Sequence, residues 1–179
     1  HLFIKSILIY IAVVLVGVVF FFTLPALTLL FFVLFSSYHF GEQHWEDRLT
    51  MSPFHFFLYI VYGAFIFFLM FSLQYESVVE VIQKISGYSL EYDFFFYSTI
   101  IIGLLLSVLM VVNKHSRPDF FKEALLLVLL GGIFYVGSLL FAFAFYFVVW
   151  HSIPSLLDQL KFLYGKMNFD SFLKYLKSS

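Results

Sequence analysis

Tyr38-His39-Phe40-Gly41-Glu42-Gln43-His44-Trp45-Glu46-Asp47 places two histidines, three carboxylates and a glycine directly after a long apolar run. A helix that crosses a bilayer needs about 20 mostly apolar residues. Ala26 to Phe35 reaches that length only if Ser36 to His39 continue the same helix. His39 then lies at or just inside the membrane boundary, and the polar segment Gly41 to Ser52 forms a loop outside it. Far downstream, a second apolar run ends in Val149-Trp150-His151-Ser152. The two stretches are expected to meet at one membrane face and hold a metal ion.

The rest of the chain sets the class. Its 179 residues are 63% hydrophobic, 23% aromatic and only 12% charged, with a mean hydropathy of +0.99. A soluble domain is about half apolar and a quarter charged, so the fold expected is all-α, a polytopic membrane helix bundle. The net charge of −1 offers nothing to nucleic acid. Without cysteine there is no disulfide, thiolate zinc site or iron–sulfur cluster. A metal must sit on His, Asp or Glu, which favours iron, zinc, manganese or copper. The chain opens on a histidine rather than a methionine and reads as a single integral-membrane domain, residues 1–179, cut from a longer protein. The first apolar run lacks a small-residue cleavage site and does not read as a signal peptide.

In order, Ile7 to Phe22 is the first expected span, with a tight break at Thr23-Leu24-Pro25 and the His39 span after it. Pro53 suits the start of the next helix, and Phe54 to Leu73 is the third span. Gln74 to Asp93 is a polar connection with a break at Gly87. Phe94 to Val112 is the fourth span, and Asn113 to Glu123 a charged loop. Ala124 to Trp150 is too long for one crossing, and Gly131-Gly132 and Gly137-Ser138 suggest a break, so a hairpin is expected with its second helix running from about Ser138 through His151. Pro154 should kink the last helix. The tail from Asn168 puts Phe169, Phe172, Leu173 and Leu176 on one face and Lys174 and Lys177 elsewhere, as a helix lying on a membrane surface does. That makes about six spans plus a C-terminal interfacial helix.

Six spans segregate the charges. Lys5, Arg48, Lys114, Arg117, Lys122, Lys161, Lys166, Lys174 and Lys177 share one side, whereas Lys84 stands among Glu76, Glu80, Glu91 and Asp93 on the other. Cytoplasmic loops are enriched in Lys and Arg, so the basic side is expected to be cytoplasmic. All six histidines fall on that side. Imidazoles of different helices meeting at one level are how a bundle builds a metal site. His39 and His151 are the leading ligand candidates. His44, His55 and His115 read first as hydrogen-bonded boundary residues, and Trp45 and Trp150 as interfacial aromatics.

Ser36-Ser37-Tyr38-His39-Phe40-Gly41-Glu42-Gln43 resembles the histidine motif of the Brp/Blh family, membrane β-carotene 15,15'-dioxygenases of microbes that make retinal. Phe143-Ala144-Phe145-Tyr146-Phe147-Val148-Val149-Trp150-His151-Ser152 is similar to that family's late signature. The resemblance implies an all-helical membrane enzyme with non-haem Fe(II) on histidines, cleaving β-carotene with O2 to two retinals. His39 and His151 are then metal ligands. His1 would match the last histidine of the family's early motif. A retinal-binding rhodopsin is an implied recipient of the product, and the bacterial inner membrane the implied location. One departure stands out. The family often carries a second histidine four residues after the first in its late motif, where this chain has Ser155, preceded by Pro154. His44 could fill the gap only if a turn at Gly41 redirects it, since residues five apart on a straight helix do not share a face. Glu42 or Asp47 could hold a ligand's ring N–H.

Two other readings follow from the same residues. One is a related metal-dependent oxygenase on another lipid-soluble substrate, although the paired H-x-x-H and H-x-x-x-H motifs of hydroxylases and desaturases are missing. The other is a non-catalytic membrane protein that binds carotenoid or retinal, which Ser155 favours.

Overall fold

Pro25 sets the first boundary. The computed structural model of the chain describes residues 2–49, 55–165 and 169–178, and the regular structure in them is all helical. Proline has no N–H and biases its predecessor away from the helix. Helix α1 (Leu2–Thr23) therefore stops, and α2 (Pro25–Leu49) restarts with Pro25 as its first residue. Leu24 alone lies between them. Its N–H bonds the Phe20 carbonyl at 2.8 Å, and its own carbonyl accepts from Thr28 at 2.9 Å. The reversal expected at Thr23-Leu24-Pro25 is not formed, because α1 meets α2 around this junction and does not fold back along it. Two antiparallel helices need a connection of at least about two residues. None of the apolar window of α1 is buried against protein.

The expected loop after His39 is also helix. Glu42, Gln43, Glu46 and Arg48 are good helix formers, and α2 continues through them to Leu49. Gly41 makes no turn. A Cβ there would overlap the Tyr59 carbonyl on α3 (His55–Leu73), and a Cβ at Gly63 would overlap the Ser37 carbonyl in return. Two glycines thus let the antiparallel helices α2 and α3 touch backbone to backbone, as small residues do between membrane helices.

Helix α3 is the centre of the bundle, contacting α2, α5 (Tyr92–Val112), α6 (Phe120–Val136) and α7 (Leu139–Tyr146). Its apolar window is 44% buried, against 17% for α5, so the outer helices leave most of their apolar surface for lipid. Thr99 Oγ1 ties α5 to α3, donating to the Phe68 carbonyl at 2.9 Å and lying 2.7 Å from Ser72 Oγ. The polar connection after α3 is half helix, α4 (Tyr75–Ser86), ended by Gly87 at φ 75°. Helix α6 runs unbroken through Gly131-Gly132 and ends at Gly137. There Gln74 Nε2 donates to the Phe134 and Gly137 carbonyls at 2.7 and 2.8 Å, occupying acceptors that a helix end leaves open. Ser138 Oγ caps α7 by accepting from the Phe141 N–H.

Pro154 does not merely kink the last helix. In an α-helix its ring would collide with the carbonyl four residues back, which is also left without a donor. Residues Phe147–Ser152 widen into a π-helical turn, and α8 (Ile153–Tyr164) restarts with Pro154 in its first turn. A short helix, α9 (Phe169–Ser178), follows.

Among the described residues, four helical segments are long and apolar enough to cross a membrane: Lys5–Thr23, His55–Leu73, Tyr92–Val112 and Leu139–Tyr164. Helices α2 and α6, both expected to span, are not among them. The last third of α2 is polar, and α6 has 17 residues. The all-α membrane-type bundle is present, and the count of six spans is not confirmed among the described residues.

Candidate metal centre

Helical spacing places His39, Glu42, Gln43 and Glu46 on one face of α2, since residues three and four apart are neighbours. That face meets the π-turn running alongside it. The rings of His39 and His151 lie 5.0 Å apart, centroid to centroid, at 69°. Two imidazoles sharing a tetrahedral or octahedral ion at metal–nitrogen distances of about 2.0–2.1 Å have centroids roughly 5 Å apart. The spacing of the pair matches that of two imidazoles on one ion. Among the described residues, no three His, Asp or Glu side chains are grouped so as to hold a metal. His1 lies outside those residues. Because α1 does not double back, the described start of that helix is not returned to the level of His39.

The pair sits in a cleft of about 580 Å³, with Gln43 beside it and Glu42, Glu46 and Asp158 along the walls. Ser155 also lines the cleft, so the position one turn beyond His151 points where a further ligand would be useful, and carries a hydroxyl. Glu42 and Asp47 do not hold a ligand's ring. Glu42 Oε1 accepts from Tyr38 Oη at 2.6 Å, and Asp47 is exposed. Gln43 does the work instead: its Nε2 donates to the His151 carbonyl at 3.0 Å, and its Oε1 contacts His151 Nδ1. Away from the carboxylates, His151 packs on Phe40 and Phe147 at 5.4 and 5.0 Å between centroids, and Tyr146 is buried behind Phe40. The centre thus has a polar side and an aromatic side. Tyr135 is 73% exposed and lines no cavity with it.

His44 is not brought to this pair. It projects from the other side of α2, stacks on Tyr62 at 4.7 Å and 9°, and pairs through Nε2 with Glu123 Oε2 at 2.9 Å. Glu123 is fully buried. It also accepts from Tyr62 Oη at 3.1 Å and from Arg48 Nη1 at 3.1 Å. Arg48 reaches Asp119 at 3.2 Å and lies over the Trp45 ring at 4.3 Å. The same His44 nitrogen is 3.1 Å from Arg48 Nη2. One ring nitrogen cannot donate and accept at once, and the carboxylate is the stronger partner, so Nε2 carries the proton. Burial alone would lift the Glu123 carboxyl, but the His44 and Arg48 hydrogen bonds hold it below the usual carboxylate range. Trp45 is completely buried rather than interfacial, and its Nε1 has no partner among the described residues. His55 faces Tyr59 at 5.5 Å, and His115 is exposed in the loop before α6.

Sequence reasoning did not single out Gln43 or the Glu123–Arg48 cluster. Gln43 had a signal, one helical turn from His39. Glu123 had none, because its partners lie far away in sequence.

A family model described as "Beta-carotene 15,15'-dioxygenase" matches residues 2–178. No curated protein and no solved structure matches the chain.

Proposed function

The chain belongs to the β-carotene 15,15'-dioxygenase family, and on that premise we propose that it cleaves the central double bond of β-carotene with O2 to give two retinals. The reading rests on one observation. The histidines of two distant motifs, His39 and His151, converge at a spacing suited to one ion. Fe(II) is the proposed metal, and when bound it supplies O2 activation beside an electron-rich alkene. His39 and His151 would hold it as neutral imidazoles, which add no charge and leave positions open. Water would complete its shell. Phe40, Phe147 and Tyr146 offer the apolar wall for a polyene. Glu42, Glu46 and Asp158 keep the opposite wall polar. The proposed setting is the inner membrane of a bacterium, with the site towards the cytoplasm and a rhodopsin as recipient of the retinal.

The test is expression in β-carotene-producing cells. Loss of colour with retinal accumulation, abolished by His151→Ala, is the expected result. Unchanged carotenoid with the protein folded in the membrane overturns it. Ser155 supports a second reading, a non-catalytic binder of carotenoid or retinal. That protein would retain its ligand uncleaved, and its iron content would not change in His39→Ala or His151→Ala.

A further inference from the structure

The contacts of Gln43 settle more than proximity. A backbone carbonyl accepts hydrogen bonds and cannot donate. The His151 carbonyl, 3.0 Å from Gln43, therefore demands the NH2 end of the carboxamide. That choice turns Oε1 towards His151 Nδ1. Oε1 is only an acceptor, so Nδ1 must carry the ring proton. Nε2 is left with the free lone pair. One side chain thereby reads the backbone of the π-turn and sets the tautomer of the imidazole on the same residue.

We propose that Gln43 is the positioning residue of the centre: a two-point clamp that holds His151 as the Nδ1–H tautomer and presents Nε2 as the ligand atom. The inference deepens the metal reading and rests on it for the role of Nε2; the clamp itself needs no metal. A carboxylate is the common partner for a ligating imidazole. Here it would serve only half the task, because a glutamate has no donor for the His151 carbonyl. Glutamine is the side chain of this length that satisfies both atoms. The π-turn makes the clamp possible by bringing the carbonyl and the ring of one residue to the same neighbour.

The experiment uses metal-free protein in detergent with 15N-labelled histidine, the His151 signals being assigned by their loss in His151→Ala. The expected wild-type spectrum shows His151 as a single Nδ1–H tautomer. Gln43→Leu should mix the tautomers and weaken Co(II) binding, followed by its visible absorption, by about 10–100-fold. Gln43→Glu should keep the tautomer yet bind Co(II) less tightly than wild type, since the carbonyl grip is lost. A His151 ring with mixed tautomers in the wild type overturns the clamp, as does Gln43→Leu with tautomer and Co(II) affinity unchanged. A pure Nδ1–H tautomer in a protein that never binds Co(II) upholds the clamp and removes the metal reading, so the two failures are told apart.

Discussion

The two faces of α2 carry histidines five residues apart with opposite fates. His44 is enclosed: its ring Nε2–H donates to Glu123, Tyr62 covers its face and Arg48 closes the cluster. His39 is exposed, and no hydrogen bond to its ring nitrogens is found among the described residues. A histidine paired with a buried carboxylate and stacked on a tyrosine holds helices together. A histidine left open beside another, in a cleft, is available for chemistry. Proximity in sequence says nothing about which is which; what the two faces of one helix pack against decides it.

The sharpest break between the faces is functional. His39→Ala should reduce retinal formation to background while leaving stability within about 0.5 kcal/mol, as is usual for exposed positions. Carotenoid cleavage and detergent-phase unfolding, measured on the same preparation, check both halves. Glu123→Ala should do the reverse. Removing one partner of a buried ion pair costs about 3–5 kcal/mol, and chemical denaturation should show that loss. The same carboxyl gives the enclosed face a pH signature. Its folded-state pKa is depressed, so its contribution is complete above the ordinary carboxylate range and disappears as pH falls through the lowered value. Denaturation midpoints collected from neutral to acid pH should show that decline, and Glu123→Ala should flatten it.

Smaller effects sharpen the picture. Gly63→Ala drives a methyl into the Ser37 carbonyl. Backbone cannot swing aside as a side chain can, so a cost of about 1–3 kcal/mol is expected, together with lower cleavage because α2 carries His39. Thermal unfolding and product yield would register the two. Trp45→Phe is the mildest. It removes an indole N–H that is buried without a partner, which offsets the lost volume, and stability should stay within about 1 kcal/mol of wild type.

Much of this was legible in the order of residues. Apolar length marked α1, α3 and α5, and Gly137-Ser138 marked the α6–α7 reversal. The two histidine motifs pointed to His39 and His151, which do converge. What polarity concealed was the extension of α2. Glu42 to Arg48 look like a loop beside an apolar run, yet Gln43, His44 and Arg48 are held by the π-turn and α6, partners absent from any local window. Gly41 looked like a turn because glycine often is one; here its missing side chain lets another helix approach. The junction at Leu24 misled for a related reason. Proline interrupts a helix reliably, but whether the chain then reverses depends on what the next helix can pack against.

The π-turn before Pro154 acts as one surplus residue in an otherwise regular rod. Each residue of an α-helix advances the azimuth by about 100°, so rewinding Phe147–Ser152 as ordinary α-helix, with no residue removed, would swing the His151 imidazole by roughly that angle. Gln43 would be left facing a neighbouring side chain, with composition, hydropathy and span length almost untouched. Molecular function in this bundle is thus encoded partly as a phase offset, which comparison by hydrophobic profile alone would never register.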